Sequence, residues 1–137
     1  MTTTRKSGLA KALAEQLRKD RGYLYPEWEM AAEVDPDFMT AYNEVYKKCL
    51  KEEKTLPLKY RELIASAIIA FRGEPDSLYL HLKRAMEFGA TKEEIFEAFQ
   101  ATLIPGGALT FLRGLRALKK ILEEKRRAKG TQGRGKR

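Results

Sequence analysis

The chain has 137 residues, 43% hydrophobic and 34% charged, the composition of a soluble protein of one domain with room for a real core. Its net charge is +8, but residues 125–137 carry seven Lys and Arg and no acid, and eight less seven leaves +1 for residues 1–124. That near-neutral body excludes a globally basic nucleic-acid binder, and the single cysteine, Cys49, excludes an internal disulfide framework or a cysteine-based metal site.

The pattern along the chain is helical throughout, with no alternating strand and no internal repeat. Residues 1–19 lack the continuous apolar core of a secretory signal. Ser7 is placed to cap a first helix to about Lys19, with Leu9, Leu13 and Leu17 on one stripe and Gly22 closing it. Pro26 suits the first turn of a short second helix reaching about Val34. Asp35-Pro36 starts a third. Its Phe38, Ala41, Tyr42, Val45, Tyr46, Cys49 and Leu50 fall on one face, which reads as the buried face and makes Cys49 a small core residue.

Pro57 precedes a fourth helix over residues 58–71, apolar around nearly its whole circumference and so in need of burial on all sides, part of it by another subunit. Its apolar stretch, residues 63–71, is far short of the roughly 20 residues that span a bilayer. These features predict a cytoplasmic protein with no membrane partner. Gly73 ends the helix and Pro75 starts a fifth, which stops at Gly89. Thr91-Lys92-Glu93-Glu94 is a capping box that opens a sixth. Pro105-Gly106-Gly107 is expected to break it, and a last helix over residues 108–125 turns Leu109, Leu112, Leu115, Leu118, Ile121 and Leu122 inward. The expected organisation is one all-α domain of six to seven helices over residues 1–125. Residues 126–137 form a disordered, solubilising basic tail, with nucleic acid an unlikely partner.

His81 is the only histidine and the only side chain whose ordinary pKa lies near neutrality. Two roles are open to it: a proton carrier oriented by a carboxylate, or a buried ring satisfied by Glu62 or a backbone carbonyl. Glu62 stands in the first turn of the fourth helix, where the dipole favours an acid. It either partners His81 or faces water. One turn further on, Ala65 and Ser66 are small and leave room for another group. Glu74, before Pro75, is either an N-terminal helix acid or a proton-exchanging group facing a pocket. Ser77 could donate a hydrogen bond to a ligand, and Tyr79 could line the same pocket. For an acidic ligand the nearby cations are Lys59, Arg61, Arg72, Lys83 and Arg84, with Arg72 the best placed, at the end of the buried helix beside Gly73.

Several of these segments recur in a known order. KYRELI at residues 59–64, the small-residue helix after it, YLHLKRAMEFGATKEEI at residues 79–95 and the Pro-Gly-Gly turn together resemble the carboxymuconolactone decarboxylase family, which shares the alkylhydroperoxidase D-like fold. The upstream segment RGYLYPEWEMAAEVDPDFMTAYNEVY looks like the family's opening segment too. The redox branch of that family carries Glu, eleven residues, Cys, two residues, Cys, three residues, His. Laid on this chain, the pattern reads Glu62, Glu74, Ser77, His81, so the glutamate and histidine match and both cysteines are absent. Peroxide reduction needs an attacking and a resolving thiol, which disfavours an alkylhydroperoxidase-type antioxidant activity.

The resemblance to the decarboxylase branch implies a lyase of aromatic-compound breakdown that needs no cofactor and acts on a small carboxylated lactone or related acid. It implies His81 and Glu74 as proton-handling residues and Glu62 as the orienter of His81. Arg72, Ser77 and Tyr79 then bind substrate. It also implies a homo-trimer, or a hexamer built from trimers. A binding protein that keeps the fold without the chemistry is the remaining alternative.

Overall fold

The computed structural model describes residues 3–134. Among them lie six helices and no strand: α1 (Thr3–Arg21), α2 (Pro26–Val34), α3 (Pro36–Leu50), α4 (Leu58–Arg72), α5 (Pro75–Glu87) and α6 (Lys92–Arg134). The all-α class and the helix order follow the sequence pattern. The chain divides between Glu52 and Glu53 into two compact units, where the sequence suggests a single domain over residues 1–125.

The first unit packs α1, α2 and α3 around Leu17, Ala32 and Met39, with Leu13, Leu24, Trp28 and Ala31 against them. α1 starts at Thr3, so Ser7 is inside the helix rather than its cap. Gly22, at φ 81°, ends it in the left-handed conformation that glycine adopts without a side-chain clash. α3 begins with Pro36 in its first turn, and the Asp35 side chain accepts from the Phe38 amide at 3.0 Å. The periodicity of α3 holds but its phase does not. Met39, Asn43 and Tyr46 are buried, whereas Phe38, Tyr42, Val45 and Cys49 are exposed. Asn43 draws its own stripe inward because it bonds both Arg21 and Asp20, a pairing that hydrophobicity alone does not reveal.

In the second unit α4, α5 and α6 enclose a core of Leu63, Ala70, Leu78, Leu82, Ala85, Ile95, Phe99, Leu118 and Ile121. Gly73 (φ 80°) terminates α4. The capping box is formed: the Glu94 amide donates to Thr91 Oγ1 at 3.0 Å, and the Thr91 amide donates to Glu94 Oε2 at 2.9 Å. The Pro-Gly-Gly break is a kink inside α6, at Gly107 with φ 80° and ψ 173°. It sets Phe99, before it, against Gly114, after it. A Cβ on Gly114 would lie 2.2 Å from the Phe99 ring, so only glycine admits this packing.

Burial around α4 and α6 is incomplete. Ile64, Ile68 and Phe71 of α4 are exposed, as are Leu103, Leu109, Leu112 and, at 91%, Ile104 of α6. Leu109 and Leu112 are thus not inward, while Leu118 and Ile121 are. Among the described residues, α6 alone is long and apolar enough to cross a membrane by length and composition (mean hydropathy 1.3 over 18 residues), although Pro105 and the Gly107 kink interrupt it. The basic tail is also corrected. The helix runs on through Gly130 and Gly133 to Arg134, because adding residues to an existing helix is far easier than nucleating one. Residues 135–137 of that tail lie outside the described residues.

Candidate functional site

The site is built on the α4–α5 pair. α4 offers Leu63 and Ala70 to the core, and the same burial carries Glu62 and Ser66 inside. α5 offers Leu78, Leu82 and Ala85, and His81 lies beside them. Glu62 is fully buried, which overturns the reading that faces it to water. Its Oε2 is 2.6 Å from His81 Nδ1, and its Oε1 accepts from Arg84 Nε at 3.1 Å. A carboxylate can only accept, so Nδ1 carries the proton of this bond, and the ring is fixed in one orientation. One anion between a guanidinium and an imidazole is charge-compensated, the condition for keeping a carboxylate away from water. The His81 side chain retains 10% of its surface, so the ring is nearly but not wholly enclosed.

Arg84 is the cation the site uses. It stands three residues after His81, on the same side of α5, a spacing from which the contact could be anticipated. Its guanidinium also sits 5.2 Å from the Phe88 ring centre. Ser66, one turn after Glu62, is fully buried with no hydrogen-bond partner for its hydroxyl.

Other predicted residues fall elsewhere. Glu74 is exposed at the start of α5 and makes no capping bond. It lines a cavity of about 320 Å³ together with Leu78, Tyr79, Arg113, Arg116 and Lys120. His81, Glu62, Ser77 and Arg72 do not line that cavity. The expected pairing of His81 with Glu74 at one pocket is therefore not what this fold builds, because Glu74 ends up at the rim of α5 while His81 turns toward α4. Ser77 is half-buried and Arg72 is exposed. The cation at the end of α4 is Arg113 instead, whose Nη1 donates to the Ala70 and Phe71 carbonyls at 3.1 and 3.4 Å. The sequence held a signal for this: Arg113, Arg116 and Lys120 recur at helical spacing.

Tyr79 does reach the cavity, but its hydroxyl donates to Glu124, and the Lys120 ammonium lies 4.4 Å from its ring centre. The bond to Glu124, with burial adding to it, raises the phenol's pKa. Across the unit, Lys59 and Glu94 pair at 2.8 Å. That pairing holds the Glu94 carboxyl below its usual range and lifts the Lys59 ammonium above its own. Among the described residues, no cluster of three or more His, Cys, Asp and Glu could hold a metal ion.

The chain is similar to several known proteins. The family model for the carboxymuconolactone decarboxylase family matches residues 36–120. An uncharacterised protein of Methanocaldococcus jannaschii is 36% identical over 69 residues, 50% of this chain and 66% of that protein. This chain thus spans just under two thirds of that relative's length. A second uncharacterised protein of the same organism is 28% identical over 86 residues, 63% of this chain and 79% of its own. The crystal structure of a "putative carboxymuconolactone decarboxylase" from Burkholderia xenovorans LB400 aligns with TM-score 0.75 and 27% identity, covering 92% of this chain and 98% of that one. With more than half its length matched by the family model and its helices superposing on a solved structure, the chain belongs to the carboxymuconolactone decarboxylase family.

Proposed function

We propose that this protein is a decarboxylase-like lyase that acts on a small carboxylated lactone or a related unsaturated acid by proton transfer at His81. The observation that carries the reading is the buried 2.6 Å contact between Glu62 Oε2 and His81 Nδ1, balanced by Arg84. A carboxylate on Nδ1 orients an imidazole for general acid–base work with its other face. In the reaction the bond from carbon to the departing carboxylate breaks, and its electron pair passes into the substrate's own conjugated carbonyl. A proton then arrives at carbon as the double bond settles. His81, protonated on both nitrogens, supplies that proton from Nε2 and regains it from solvent; Glu62 fixes the ring through Nδ1, and Arg84 offsets the charge of Glu62. The substrate's conjugation takes up the electrons, so these steps draw only on this chain's side chains and solvent.

One observation favours a second reading, an acid-binding protein without turnover: the cavity rimmed by Arg113, Arg116 and Lys120 is not lined by His81. Carbon dioxide release from a panel of small lactone acids separates the two. Turnover is expected from the wild type, falling about 10²- to 10⁴-fold in His81→Gln and holding in Cys49→Ser. Binding without release, or full activity in His81→Gln, rules the lyase out. Activity that needs peroxide and is lost in Cys49→Ser points to the antioxidant class instead.

We also propose that the protein works as a homo-oligomer, a trimer or a hexamer. Ile64, Ile68 and Phe71 on α4, with Leu103, Ile104 and Leu109 on α6, leave more apolar surface exposed than a small monomer usually shows. Light scattering on the eluting protein should give a mass near three or six times the 15.7 kDa chain. A monomer at micromolar concentration defeats this assignment.

A further inference from the structure

Ser66 is a hydroxyl in a place where a hydroxyl is costly. It is fully buried and its Oγ meets no hydrogen-bond partner. Leaving such a group unsatisfied costs roughly 1–3 kcal/mol. Alanine here would avoid that cost and is the better helix former by some tenths of a kcal/mol. The same helix uses alanine at Ala65, Ala67 and Ala70. A hydroxyl against both pressures implies that another polar atom meets it.

The surroundings say what kind of atom. α4 and α5 are joined by the tight turn at Gly73 and run antiparallel, with Glu62 of one meeting His81 of the other. Four residues forward along α4 correspond to four residues back along α5. Ser66 therefore comes level with Ser77, which is half-buried. Ser66 lies one turn from Glu62, and Ser77 one turn from His81, a spacing of about 5–6 Å between Cβ atoms in each case. Helical spacing thus puts one hydroxyl a turn from the carboxylate and another a turn from the imidazole. Ser66 does not bond Ser77 directly, since its Oγ has no partner. A group that both donates and accepts, and that is small enough to sit between two packed helices, satisfies all of them.

We propose that Ser66 is a positioning residue of the Glu62–His81 site, and that its hydroxyl holds a buried water against that pair. This rests on the proton-transfer reading above: the water helps fix the ring that carries the proton.

Two measurements test this, both on the full chain without substrate. A crystal structure at high resolution should show an ordered oxygen within about 3 Å of Ser66 Oγ. A Ser66 hydroxyl turned back onto the Glu62 carbonyl, with no water beside it, overturns the proposal. His81 is the only histidine, so ¹⁵N-histidine labelling reports its two ring nitrogens alone. Ser66→Ala should shift those resonances while the circular dichroism stays that of the wild type, and Ser66→Thr should return them. Unchanged ring resonances in a Ser66→Ala protein of higher Tm mean that the hydroxyl is merely tolerated, and the proposal fails. Neither result depends on finding the substrate. A water at Ser66 with no carbon dioxide release from any acid sinks the lyase and leaves the water site. Release without a water sinks the water site alone.

Discussion

The first unit buries a cation, Arg21, together with the carboxylate of Asp20; the second buries an anion, Glu62. Arg21 is 2% exposed and its guanidinium lies 4.3, 4.9 and 4.1 Å from the ring centres of Trp28, Tyr42 and Tyr46. Its Nε donates to Asn43 Oδ1 at 3.3 Å, and Asn43 in turn donates to Asp20 at 2.7 Å. These contacts, ring faces and an amide, hold a fixed charge in place. A guanidinium keeps its protons at any pH a protein meets, so Arg21 has nothing to transfer. Glu62 meets a guanidinium too, but its second oxygen meets an imidazole. That one exchange of partner sets an imidazole, which titrates near neutrality, against the buried charge. Burial of charge therefore does not by itself separate the two clusters; the imidazole at the edge of the second does.

The largest effect expected from this contrast is on the anchor. Arg21→Ala removes the filling of an aromatic cage and leaves the Asn43 carbonyl short of a donor. It should destabilise the first unit by about 3–5 kcal/mol. Urea unfolding, together with faster hydrogen exchange at the amides of α1 and α3, measures it. His81→Gln in the second unit should cost only about 1 kcal/mol, because the amide still donates to Glu62, yet it should abolish most of any turnover. If His81→Gln unfolds the protein as badly as Arg21→Ala, the division between anchor and site is wrong.

How far the sequence reveals each cluster follows from its chemistry. Glu62 and His81 were legible because their spacing fits a helical hairpin and because a single histidine draws attention. Arg84 was within reach of the same reasoning. Glu74 was misplaced because periodicity says where a residue sits on a helix but not which cavity the helix end adjoins. The Arg21 cluster was not legible at all. Nothing in Asn43 or Arg21 as letters says that one will pull a polar stripe of α3 inward, and so periodicity alone puts Phe38, Val45 and Cys49 in the core, where the structure exposes them. Helix starts and stops fared better, since Gly22, Asp35-Pro36, Gly73 and the Thr91 box act locally.

The smaller effect is a pH dependence of the anchor. Burial pushes the Asp20 carboxyl upward, but hydrogen bonds from Gln16, Lys51 and Asn43 outweigh it and bring the pKa down from 3.8 to about 2. A carboxyl whose pKa is depressed by folding adds stability above its unfolded pKa and loses it as the pH falls to the folded value. At about 1.4 kcal/mol per unit, the contribution is about 2 kcal/mol. It is complete above pH 3.8 and drains away toward pH 2. Urea midpoints between pH 5 and pH 2 should trace that decline. Lys51→Gln sharpens the test, because the Lys51 ammonium lies 3.0 Å from Asp20 while Gln16 and Asn43 stay in place. Removing it should let Asp20 titrate closer to 3.8 and shrink the acid-sensitive contribution. Lys51 is itself partly exposed, so solvent screens its charge. An unchanged acid profile in Lys51→Gln would therefore assign the shift to the two amides, Gln16 and Asn43, and would make Asn43 the residue that both orients Arg21 and holds Asp20 ionised.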